Sequence, residues 1–83
     1  MEQKVQEIIQ MLEMLTSDNA IPKNIRKCLD DAVTRLKSND ELTVKLSAAV
    51  YLIESISEDI NMPAHARTQI WAVISSLESL KVR

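Results

Sequence analysis

With 83 residues, the chain is one small domain, close to the size at which a single core just offsets chain entropy and association often supplies the rest; a second domain is excluded. It is 46% hydrophobic and 27% charged with a net charge of −2, which describes a soluble globular protein without a long-range field to draw in nucleic acid and without the aromatic-interleaved basic runs of single-strand binders. Its one cysteine, Cys28, cannot form an internal disulfide, Met1-Glu2-Gln3-Lys4 is no signal-peptide start, and no stretch approaches 18 apolar residues, so a cytoplasmic protein with no membrane attachment is expected.

Glycine is absent and proline occurs only at 22 and 63, so helices can run uninterrupted while a sheet lacks its usual turn residues. The first helix is expected from about Glu2 to Thr16, with Val5, Ile8, Ile9, Leu12 and Leu15 on one face. Pro22 opens the second, where its missing N–H costs nothing, and Ile25, Leu29, Ala32, Val33 and Leu36 form the next stripe. Asn39 or Asp40 is the expected cap of a third helix that runs to about Ser57 with Leu42, Leu46, Ala49, Val50, Ile53 and Ile56 inward. Pro63 opens the fourth, with Ala66, Ile70, Val73, Ile74, Leu77 and Leu80 inward. Each gap holds an asparagine, Asn19, Asn39 or Asn61, the non-glycine residue that best tolerates a left-handed helix end. Connections of about two to six residues make neighbours antiparallel, so the expected fold is all-α, a four-helix up-and-down bundle.

A shift of 41 residues lays the chain on itself: Asp18 meets Asp59, Pro22 meets Pro63, Arg26 meets Arg67, and apolar positions such as Val5/Leu46, Leu12/Ile53, Ile21/Met62 and Leu29/Ile70 follow. A period near 40 is what a helical hairpin occupies. The single domain, residues 1–83, therefore reads as two repeated helical hairpins, 1–41 and 42–83.

In this topology both proline turns share one pole. Asp18 and Asp59 follow helix C-termini, while Arg26 and Arg67 sit one turn inside helix N-termini; the local dipole opposes each charge. Two such mismatches in each repeat suggest structural ion pairs, Asp18 with Arg26 and Asp59 with Arg67, worth about 1 kcal/mol if shielded and less if exposed. The alternative use of the pole is a small-anion or nucleotide-phosphate site formed by Lys23, Arg26, Lys27, His65 and Arg67 at the N-termini of the second and fourth helices. Asp18, Glu58 and Asp59 offset most of that charge.

Specific function is more readily sought where the halves differ. Trp71 stands opposite Asp30, roughly 130° from the centre of its own core stripe and beside Arg67, Glu78 and Val82. It either lies flat under Arg67 or enters a partner. The third helix carries Val44, Ala48, Tyr51 and Leu52 on its far side, and a helix apolar on two faces wants two neighbours. The spare stripe predicts a homodimer, with Met11 and Met14 able to widen the surface, or failing that an unidentified protein partner.

No reactive constellation competes with this reading. His65 has no second histidine or cysteine pair beside it for a metal, Cys28 lies too deep in its helix for dipole activation, and acids such as Asp30-Asp31 and Glu58-Asp59 diverge around a helix. No catalytic residue, metal or cofactor is expected. The chain reads as a non-catalytic helical interaction module or scaffold rather than an enzyme.

The strings Ile21-Pro22-Lys23-Asn24-Ile25-Arg26 and Asn61-Met62-Pro63-Ala64-His65-Ala66-Arg67-Thr68, followed by Ile70-Trp71, resemble a small archaeal group known only as uncharacterised protein family zero-one-four-seven. The resemblance covers essentially the whole chain and implies a short, all-helical, cytosolic archaeal protein; it implies no activity. Ile25-Arg26 and Ala66-Arg67 are more loosely similar to HEAT-type repeats, although two units are too few for a solenoid.

Overall fold

The computed structural model describes residues 2–81. Four helices follow one another: α1 (Glu2–Thr16), α2 (Lys23–Leu36), α3 (Leu42–Glu54) and α4 (Ala64–Lys81). The described residues contain no strand, and the molecule is an all-α four-helix bundle. Each helix packs on the next, while α1 and α4, which close the ring, are the pair in loosest contact.

Both prolines stand at helix starts. Pro22 is extended (φ −54°, ψ 148°), and its carbonyl accepts from the N–H groups of Ile25 and Arg26, as that of Pro63 does from Ala66 and Arg67. A residue without an N–H loses nothing at this position. The asparagine expectation is corrected: no described residue has a positive φ. Aspartates shape two of the turns instead, the Asp18 carboxylate accepting from the Ala20 N–H and the Asp59 carboxylate from the Asn61 N–H. A short acidic side chain that bonds its own backbone two residues on makes a left-handed residue unnecessary.

Two further corrections concern α3. Neither Asn39 nor Asp40 caps it; the chain enters through Glu41 (φ −58°, ψ 150°) without a side-chain cap, because Asp40 is engaged with Ser38 through the serine hydroxyl. The helix also stops at Glu54, short of Ser57. Ser55 and Ser57 return their hydroxyls to the carbonyls of Leu52 and Glu54, and the backbone tightens to three-residue bonds at Ile56 and Ser57, a local competition that serine offers to a helix end.

The core is one aliphatic cluster containing Val5, Leu12, Leu29, Leu46, Ile53, Ile70 and Leu77, with no buried polar or charged residue among those described. Ile21 and Met62, in the two proline turns, are buried in it and pin those turns to the helices. Leu42 and Ile74, expected inside, are half-buried at its edge. An exposed ion pair between Lys37 and Glu13 (2.9 Å) ties the end of α2 to α1. Between α1 and α4 an open groove of about 420 Å³ runs past Lys4, Ile8, Met11, Ala72, Ser76 and Leu80, the consequence of the loose seam.

Candidate functional site

At the proline pole the arginines do lock the turns, but not through the carboxylates expected of them. Arg26 Nε donates to the Ile21 carbonyl at 3.0 Å. Arg67 donates through one terminal nitrogen to the carbonyls of Asp59 (2.9 Å) and Met62 (3.3 Å). Neither Asp18–Arg26 nor Asp59–Arg67 is an ion pair. The reason lies in the turn itself: each carboxylate folds back onto its own loop N–H, and the carbonyls left at the turn are the acceptors that a guanidinium can reach.

The free side of the Asp18 carboxylate meets a residue from the other proline turn's helix. His65 Nε2 lies 2.7 Å from Asp18 Oδ2; since a carboxylate only accepts, this ring nitrogen carries the proton. The hydrogen bond from His65, then that from the Ala20 N–H, hold the Asp18 carboxyl below its ordinary range.

These contacts bear on the anion alternative. Arg26 and Arg67 point to backbone carbonyls, His65 to Asp18, and Lys27 is 4.0 Å from Asp31. Of the residues grouped in that reading, only Lys23 has no such neighbour among the described residues. Apart from Lys23, the cations near these helix N-termini are turned to other acceptors.

On the outer face of α3, Tyr51 is 75% exposed and Val44 49% exposed. Ala48 is half-buried between them. Leu52 does not belong fully to this face: it packs against the core, because α2 covers that flank of α3. There Cys28 Sγ donates to the Leu52 carbonyl at 3.1 Å. Ala48, Tyr51 and Leu52 form one wall of a groove of about 370 Å³ whose other wall is Asp31, Thr34 and Arg35 of α2. Trp71, on α4, is 57% exposed, and the Arg67 guanidinium that was to cover it is committed to the Asp59 and Met62 carbonyls. Val82, placed beside Trp71 by the sequence, lies outside the described residues.

Sequence reasoning missed three features: the Asp18–His65 contact, the α1–α4 groove, and Ile60, which is 91% exposed in the turn before α4. Two of them sit where the halves of the sequence disagree, His65 opposite Asn24 and Ile60 opposite Asn19. Among the described residues no cluster of three or more His, Cys, Asp or Glu side chains is placed to hold a metal ion, and no helix is long and apolar enough to cross a membrane.

The model of the Uncharacterised protein family (UPF0147) matches residues 1–80. A UPF0147 protein of Pyrococcus horikoshii is 42% identical over 82 residues, covering 96% of this chain and 88% of the relative. One from Methanocaldococcus jannaschii is 40% identical over 72 residues, covering 86% of this chain and 77% of the relative. The fold is similar to that of the unknown-function protein MMP1188 (TM-score 0.86, 43% identity, 92% of this chain and 88% of that chain). It is similar also to a UPF0147 protein of Thermoplasma acidophilum (TM-score 0.89, 31% identity, 95% and 94%). None of these names carries an activity.

Proposed function

The chain belongs to the Uncharacterised protein family (UPF0147), and from that premise we propose that it is a non-catalytic helical interaction module of the cytoplasm, which binds protein through the outer face of α3 and the adjoining α2–α3 groove. The observation that carries this reading is Tyr51, three-quarters exposed on the same face as Val44 and lining a groove with Ala48 and Leu52 on its own wall and Asp31, Thr34 and Arg35 on the other. A tyrosine presents a large rigid apolar surface at small entropic cost, and an apolar centre with a polar rim is the usual anatomy of a protein interface. Leaving it wet forgoes about 25 cal/mol for each Å² of apolar area. Catalysis has no comparable support: Arg26, Arg67 and His65 at the proline pole are turned to carbonyls or a carboxylate, and Cys28 is bonded to a backbone carbonyl.

The test is a photo-crosslinking residue, p-benzoylphenylalanine, placed at Tyr51 and, as a control, at Gln10 on the exposed side of α1. A protein adduct is expected from position 51 on irradiation of concentrated protein or of cells. Adducts no more abundant than those from position 10 would remove this face as a binding surface.

A further inference from the structure

We propose that the partner received by the α2–α3 groove is a second copy of the same chain, docked antiparallel about a two-fold axis at Ala48, with Asp31 and Arg35 of each copy paired with Arg35 and Asp31 of the other. The proposal rests on the reading of this face as a protein-binding surface and names its occupant.

Three observations lead to it. Asp31 and Arg35 are one turn apart on α2 and line the same groove as Ala48, so the small residue stands level with the turn that joins an anion to a cation about 6 Å along the helix. Arg35 is exposed and its guanidinium has no hydrogen bond or ion pair with the described residues, while Asp31 has a 4.0 Å contact with Lys27 in which both side chains are exposed. Finally, Val44 and Tyr51 flank Ala48 by about one turn on either side.

A two-fold axis that lies in the contact plane and perpendicular to α3 reverses the helix direction and keeps α2 on the same side. It therefore sets α3 antiparallel on α3 and α2 antiparallel beside α2. At the level of Ala48 this operation exchanges the two ends of the Asp31–Arg35 turn, so each carboxylate faces the other copy's guanidinium, twice by symmetry. The same operation lays each Tyr51 over the other copy's Val44, and alanine at the crossing lets the backbones approach. A plus and a minus charge one turn apart on α2, level with a small residue on the apolar face of α3, are self-complementary in this orientation; a two-fold axis parallel to α3 carries the second α2 to the opposite flank and leaves both charges unpaired.

Sedimentation velocity of the full chain over a concentration series, at low and moderate salt, tests the arrangement. The wild type is expected to dimerise, and more weakly as salt rises. Asp31→Arg and Arg35→Asp are each expected to weaken the dimer about tenfold or more, and the double variant to return to within about threefold of wild type, since exchanging both charges restores both pairs. Both positions are exposed, and circular dichroism verifies that each variant folds; Asp31→Lys with Arg35→Glu repeats the exchange if either first variant does not. A wild type that stays monomeric at high micromolar concentration overturns the proposal, as do single reversals without effect or a double variant without rescue. Such outcomes leave the binding face itself standing if position 51 still crosslinks to another protein, and absence of that crosslink removes the face as well.

Discussion

Asp18 and His65 meet at 2.7 Å across the bundle's proline pole, bringing the α1–α2 turn onto the first turn of α4. Because α1 and α4 form the loosest seam, this contact joins parts of the chain that share little else. It also gives the carboxylate two hydrogen-bond donors at once, the imidazole and the Ala20 N–H.

The contact has a pH signature with a definite sign. Asp18 is held below its ordinary value of 3.8 by those donors, so its contribution to stability is complete above that value and disappears as pH falls through the lowered folded-state value. Thermal unfolding of the wild type and Asp18→Asn, followed from neutral to strongly acid pH, is expected to give a constant gap in Tm above about pH 5 that closes in acid. A gap that widens on acidification would contradict the assigned ionised carboxylate.

Arg67 serves its turn differently, by holding two carbonyls with one end of its guanidinium. Removing it leaves the carbonyls of Asp59 and Met62 without that donor. Arg67→Ala is expected to cost about 1–2 kcal/mol in urea unfolding, and Arg67→Lys part of that, since an ammonium is not a planar fork. Lys81→Ala, which removes an exposed pair with Glu78 at 3.3 Å, is expected to cost less than about 0.5 kcal/mol. Equal losses from Arg67→Ala and Lys81→Ala would mean that the carbonyl contacts do not lock the turn.

What the sequence makes legible follows the range of the forces involved. Leu12, Leu29, Ile53 and Ile70 fall on apolar stripes of period 3.6, and each is fully buried, because periodicity is a local property that packing must respect. The prolines punctuate α2 and α4 for an equally local reason. The partners of Arg26 and Arg67 differ from the expected aspartates because the acceptors within reach are backbone carbonyls, which a sequence does not display. His65 has no second metal-ligand residue near it in the sequence and is grouped there only with the cations of the anion alternative; its partner, Asp18, lies in the other proline turn. Leu52 departs from the outer face and packs against the core because α2 lies on that flank of α3, which a helical wheel does not specify. The outer face of α3 itself was legible, since Val44 and Tyr51 stand out among polar positions and both remain exposed.

That face gives the last prediction. Ala48 is half-buried on the groove wall, at the level where the two α3 helices of the proposed dimer cross, so a longer charged side chain there both separates the backbones and places a carboxylate in an apolar contact. Ala48→Glu and Tyr51→Glu are each expected to give a monomer by sedimentation with helix content unchanged, because neither side chain belongs to the core cluster. Glu41→Lys, at the exposed start of α3 and about two turns from the crossing, is expected to leave association within about threefold of wild type. Trp71 supplies an independent readout: with the chain's single tryptophan 57% exposed, its fluorescence shifts to the blue on association if the contact extends over the α3 side of α4, and stays constant if it is confined to α2 and α3. A dimer that survives both glutamates would place the two-fold axis elsewhere and move attention to the groove between α1 and α4.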